Sequence, residues 1–143
     1  QVKKSVEMGA KVVTGGMRKE GKGNFYMPTI LTNLKKGMPA YDEEVFGPVA
    51  SIIPVANEEE AVTVANDTEF GLGASIWTKD IEKAKKLAGR IEAGAVFINS
   101  QVKSDPRIPF GGVKKSGHGR ELGEYGVKEF VNAKTVSVMR GKT

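Results

Sequence analysis

Between Val49 and Asn99 the chain alternates two kinds of hydrophobic pattern, and this alternation limits the folds open to it. Val49 to Val55 reads as a strand stopped by Pro54. Asn57 then caps a helix, with Glu60 at the capping-box spacing and Glu58 and Glu59 favouring the positive end of the helix dipole. Ala61, Val62 and Ala65 form its apolar stripe. Phe70 to Gly73 turns into a second strand, Ala74 to Thr78. Asp80 caps a second helix with Ile81, Ala84, Leu87 and Ile91 on one face. Gly94 ends it, and Ala95 to Ile98 is an unbroken apolar strand, expected to be covered on both faces. Strand, helix, strand, helix, strand predicts an α/β layer with parallel strands. Ligands of such sheets bind beyond the C-terminal ends of strands. Asn99 stands at one such end and opens a loop to Phe110 that Asp105-Pro106 and Ile108-Pro109 stiffen. That loop could be a substrate wall or a plain connector.

The flanks are less regular. Val2 and Val6 mark one face of a helix that Gly9 stops. Lys11 to Thr14 is a short strand closed by Gly15-Gly16. Phe25 to Leu31 contains Pro28, which predicts an edge or irregular strand because proline cannot donate to a ladder. Lys35 to Tyr41 reads as a loop or a single helical turn. Glu121 to Val131 reads as a helix with Leu122, Tyr125 and Phe130 inward, weakened by Gly123 and Gly126. Thr135 to Met139 alternates as a strand with little chain beyond it to cover its edge. An open edge invites a partner chain, and joining the chain's own sheet is the other option.

The 143 residues have the length of one ordinary domain. No apolar run approaches the ~20 residues that span a bilayer. No secretory leader is recognisable, so a cytoplasmic protein without a membrane partner is expected. Cysteine is absent, which excludes disulfides and a cysteine nucleophile within these residues. No metal site is expected. The net charge of +5 could suggest nucleic acid. The lysine pairs are scattered among acids, however, and no aromatic residues interleave with them as a stacking platform requires. A solvated, mixed surface is expected, with no nucleic-acid partner. The stretch Gly111 to Arg120 has neither the Lys-Ser/Thr of a P-loop nor the third glycine of a dinucleotide fingerprint. His118, the single histidine, reads as a surface residue.

Glu43-Glu44-Val45-Phe46-Gly47-Pro48 is the densest chemical feature. Glu44 offers two acceptor oxygens, and Phe46 offers a flat apolar face. Gly47 permits close backbone approach, and Pro48 fixes the next dihedral. The set suits a ligand with paired hydroxyls beside a flat ring, such as a nicotinamide riboside. A plain turn, with Glu44 solvated and Phe46 in the core, uses the same residues.

Glu43 to Pro48, Phe70 to Ala74, Ala93 to Asn99, Pro109 to Gly112 and Ser116 to Gly123 occur in the order found in the aldehyde dehydrogenase superfamily, which the whole chain resembles. The stretch from Ser104 to Glu121 most resembles its succinate-semialdehyde dehydrogenases. The resemblance implies an α/β, parallel-sheet, three-layer catalytic domain. Residues 1–132 would be its C-terminal portion, and residues 133–143 an oligomerisation strand and tail. It implies oxidation of an aldehyde with NAD or NADP, through a cysteine thioester. It places Glu44 on the nicotinamide ribose hydroxyls and Phe46 beside the nicotinamide. It places Ser104 on the carboxylate of succinate semialdehyde and Phe110 in the wall of the substrate tunnel. Arg107 could attract the same carboxylate by its charge, although a surface ion pair would also satisfy it. None of these residues is the nucleophile or the general base; the family's cysteine and glutamate would lie upstream of Gln1. The chain begins inside a helix and without Met, so it is expected to be a piece of a longer enzyme, inactive alone and assembling as a homo-oligomer. Trimming is another source of such a start. A non-catalytic assembly module pairing through the last strand is the competing expectation.

Overall fold

The computed structural model describes residues 1–141. They form two compact units, Gln1–Ala61 and the chain from Val62 onward. In the first, α1 (Val2–Glu7) leads to β1 (Lys11–Thr14), β2 (Thr29–Thr32), α2 (Pro39–Asp42) and β3 (Val49–Ser51). The three strands make one sheet in the order β1-β2-β3. β1 runs antiparallel to β2, and β2 parallel to β3 with Thr29 opposite Val49.

Of the two expectations for this segment, an edge or an irregular strand, the edge is not found, since β2 is central; its pairing with β1 is irregular, with a register shift between Val12 and Thr14. The ladder starts at Thr29, one residue after the proline, so the missing N–H lies outside it. Leu31 is fully buried at the centre of a cluster with Val2, Ala10, Leu34, Met38 and Ala40. The buried Ser5 hydroxyl accepts from Ala40 N–H at 2.9 Å and fastens α1 to α2. Gly15 and Gly16 leave β1 with φ of 73° and 78°. A Cβ on Gly15 would meet the Pro28 carbonyl oxygen at 2.2 Å, so this turn admits only glycine. β3 stops at Ser51, shorter than the run to Val55 expected from sequence; Pro54 cannot extend the ladder.

α3 (Glu58–Asn66) carries the boundary between the units. Its cap matches expectation closely. Glu60 N–H donates to Asn57 Oδ1 at 3.0 Å, and the Glu60 carboxylate accepts from Ala56 N–H, one residue earlier than a standard box. Val62 is buried, whereas Ala65 is exposed.

The second unit continues with β4 (Phe70–Gly71), β5 (Gly73–Ile76), α4 (Ile81–Ala88), β6 (Ala95–Ile98), β7 (Val113–Lys114) and α5 (Gly123–Lys128). β5 and β6 are parallel neighbours joined through α4, the expected crossover unit. Lys83 N–H donates to Asp80 Oδ1 at 2.9 Å, so Asp80 caps α4 as predicted. β6 is half-buried along its length rather than covered on both faces. Phe70 and Gly71, read as a turn, instead pair antiparallel with Lys114 and Val113. That pairing joins residues over forty positions apart, which no local pattern announces.

The C-terminal stretch differs from expectation in its helix, and its last segment does not join the chain's own sheet among the described residues. The last helix spans only Gly123–Lys128, and Tyr125 and Phe130 are 63% and 90% exposed. Gly126 is buried instead, because its backbone packs on that of Glu121. The expected strand from Thr135 to Met139 forms no ladder among the described residues, and Val136 is 77% exposed.

Leu31→Ala should lower unfolding stability by about 3 kcal/mol, the usual cost of emptying a packed leucine site. Urea denaturation of the protein checks this, and a loss below about 1 kcal/mol would mean the site collapses around the cavity.

Candidate functional site

The site residues named from sequence divide between the units. Glu44 and Phe46 belong to the first; Ser104, Arg107 and Phe110 belong to the second.

In the first unit the frame is α1 bolted to α2. Glu43 N–H donates to the Pro39 carbonyl at 2.9 Å and closes α2. The next two residues are held from the side. Gln1 Nε2 donates to Glu43 Oε2 at 2.8 Å and to the Glu44 carbonyl at 3.0 Å. Gly47 then has φ 143°, which favours glycine. A Cβ there would meet nothing within 4 Å, so it is the dihedral and not the close approach we expected that calls for glycine. Thr29 N–H donates to the Pro48 carbonyl at 2.7 Å, which feeds the segment into β3.

This segment borders a cleft of about 690 Å³ whose lining includes Gln1, Lys3, Tyr26, Phe46, Pro48 and Val49. Phe46 is 87% exposed, so its ring is not a core element. Glu44 is exposed and is not among the lining residues, so the cleft offers a bare aromatic face with the carboxylate beside it rather than within it. Exposure alone does not single Phe46 out, since Trp77 and Phe130 are also exposed; its place on the cleft does. The pair is chemically able to hold a flat ring on Phe46 and hydroxyl groups on Glu44.

In the second unit Asn99 ends β6 with φ 53°. Its amide donates to the Thr78 carbonyl at 2.8 Å, and its Oδ1 accepts from Thr78 N–H at 2.8 Å, so the loop departs from a fixed point. Ser104 is exposed on that loop, and Phe110 is half-buried. Phe110 is pinned to Glu121 by two backbone hydrogen bonds of 2.8 Å. Gly123 N–H reaches the Pro106 carbonyl at 3.1 Å. The loop is thus braced at Phe110 and Pro106.

Arg107 forks onto Asp105. Nε donates to Oδ1 at 2.9 Å and Nη2 to Oδ2 at 2.6 Å, and Arg107 N–H adds a third contact to Oδ1 at 3.0 Å. The Arg107 side chain beside it holds the Asp105 carboxyl down to about 2, and the pairing raises the guanidinium. A lowered carboxyl pKa contributes above its unfolded value and is lost as pH falls through about 2. The carboxylate therefore stays charged at neutral and mildly acidic pH, and the Arg107 guanidinium faces it. His118 is exposed, as expected.

Sequence reasoning passed over Gln1. An amide at the start of a helix carries no signal of partners 42 and 43 residues away.

Known proteins resemble this chain in sequence and in fold. The profile of the aldehyde dehydrogenase family matches residues 1–136. A Synechocystis sp. protein named probable succinate-semialdehyde dehydrogenase, NADP(+), is 56% identical over 136 residues, covering 95% of this chain and 30% of its own length. An Escherichia coli K12 succinate semialdehyde dehydrogenase, NAD(P)+, is 50% identical over 136 residues, covering 95% of this chain and 29% of its own. The chain spans about 30% of the length of the curated relatives it matches. Among solved structures, the succinic semialdehyde dehydrogenase of Streptococcus pyogenes in complex with NADP+ superposes with a TM-score of 0.92 at 46% identity, covering 97% of this chain and 30% of that one. No helix of the described residues is long and apolar enough to cross a membrane. From the profile match, the identities and the shared α/β fold, this chain belongs to the aldehyde dehydrogenase family.

Proposed function

We propose that these residues are the C-terminal part of the catalytic domain of an NAD- or NADP-dependent aldehyde dehydrogenase, acting on succinate semialdehyde. The observation that carries the reading is Phe46, a ring 87% exposed at a cleft with an acid two residues before it. Glu44 takes the nicotinamide ribose hydroxyls, and Phe46 lies against the nicotinamide. The cofactor, when bound, supplies the hydride acceptor. The two side chains orient it, and orientation is worth large factors in rate. Ser104 binds the substrate carboxylate, and Phe110 lines the way in. Relatives named as succinate-semialdehyde dehydrogenases support that substrate. Arg107 is the weakest member of the set, because Asp105 already occupies the Nε–Nη2 edge of its guanidinium.

The cysteine nucleophile and the general base come from residues outside these 143, since the chain has no cysteine. Residues 1–132 act within the catalytic domain, and residues 133–141 belong to an assembly arm; residues 142 and 143 of the expected segment lie outside the described residues. The exposed, unpaired stretch around Val136 and Val138 supports its pairing with another copy. A cytoplasmic setting fits a chain without cysteine.

Three outcomes test the reading. The 143 residues alone should show no NAD(P)-dependent oxidation of succinate semialdehyde, and any turnover above a blank would overturn that. In the full-length enzyme, Glu44→Gln should slow single-turnover hydride transfer about tenfold while the aldehyde KM stays within about twofold. An unchanged hydride rate removes Glu44 from the cofactor site. Ser104→Ala should raise the KM for succinate semialdehyde about tenfold but leave an uncharged aldehyde unaffected, whereas Arg107→Ala should change either by less than about twofold. A selective loss in the Arg107 variant would instead make it the carboxylate receptor.

A further inference from the structure

We propose that Gln1 is a positioning residue that sets where Glu44 and Phe46 stand; this rests on the cofactor reading above. A glutamine amide nitrogen carries two donors, and Gln1 uses both on the segment in question. One meets Glu43 Oε2 at 2.8 Å and the other the Glu44 carbonyl at 3.0 Å. These bonds cross a gap between two elements that are otherwise fixed. Ser5 N–H donates to the Gln1 carbonyl at 3.0 Å and seats Gln1 on α1. The Ser5 hydroxyl fastens α1 to Ala40 of α2. Past α2 the chain runs from Glu43 to Gly47 before Pro48 is tied to Thr29. Within that span Val45 packs against the core, and Gln1 is the polar strut beside it; Gln1 also lines the cleft that Phe46 borders.

The bonds are solvent-exposed, so water can replace them at little cost in stability. Their loss would free the peptide plane between Glu44 and Val45 to turn. A shift of about 1 Å at a reacting centre can cost about a hundredfold in rate. Gln1 should therefore matter to hydride transfer much more than to folding.

The test is made in the full-length enzyme with Gln1→Ala, Gln1→Lys and Gln1→Glu, beside Glu44→Gln. Single-turnover hydride rate, both KM values and Tm are measured. Gln1→Ala should slow hydride transfer about tenfold with the aldehyde KM and Tm unchanged. Gln1→Lys, which still donates to Glu43, should return to within about threefold of the parent. Gln1→Glu, which sets two carboxylates face to face, should be at least as slow as the alanine variant. Three results overturn the proposal: an alanine variant at the parent's rate, a fall of rate and Tm together with a rise of both KM values, or lysine and glutamate variants that behave alike. If Glu44→Gln is slow and Gln1→Ala is not, only the role of Gln1 falls. If Glu44→Gln runs at the parent's rate, the cofactor reading falls and this inference with it.

Discussion

The hydrogen bond from Thr29 N–H to the Pro48 carbonyl, 2.7 Å long, fixes the place of everything chemical in the first unit. Thr29 begins the central strand, and Pro48 ends the segment that carries Glu44 and Phe46. The Thr29 hydroxyl, buried, donates to the Met27 carbonyl at 2.7 Å and accepts from Gly16 N–H at 2.8 Å. One threonine thus joins the turn after β1, the entry to β2 and the entry to β3. The prolines on either side remove donors only where no ladder needs them. The segment also reaches β3 at its N-terminal end. The rule that ligands gather at strand C-termini therefore points to the loop after β6, where Ser104 lies, and not to Glu44 and Phe46.

What could be read in the sequence was what is decided within about four residues. The caps at Asn57 and Asp80 follow from a side chain reaching a nearby N–H. β1 and its glycine turn follow from β-branched residues and a backbone that only glycine adopts. The α5 helix was misread for the complementary reason. Its aromatic residues have helical spacing, but the element packs through the bare backbone of Gly126, and hydrophobicity does not mark such a contact. The pairing of β4 with β7, the bolt from Ser5 to Ala40 and the reach of Gln1 all span tens of residues. The motif that named Glu44 and Phe46 was legible, but the residue bracing it was not.

The basic balance also resolves into local chemistry. Lys3 lies near Glu7, Lys85 meets Glu82, Lys128 meets Glu124 and Lys115 meets Glu69. Lys114 differs in being half-buried. Its ammonium reaches Glu92 at 2.6 Å and the carbonyls of Asn66 and Thr68 at 2.8 and 3.0 Å, and so ties the end of α3 to β7. The exposed pairs add little to stability. They do interleave the two signs, which a surface built to follow a phosphate backbone would avoid.

Stability and chemistry in the first unit rest on different interactions. Leu31 and its neighbours, with the Ser5 hydroxyl, decide that α1, α2 and the sheet come together, and they are buried. Burial makes them costly to lose and insensitive to solvent. The Gln1 amide and the carboxylate it holds are exposed, and water competes for both. An interaction of that kind cannot decide a fold, but it can decide between orientations that the fold leaves nearly equal in energy. A core sets a loop's position to within a strand register, whereas hydride transfer responds to fractions of an ångström. That difference in scale is why the buried residues that explain the architecture are distinct from the exposed amide that holds Glu43 and Glu44.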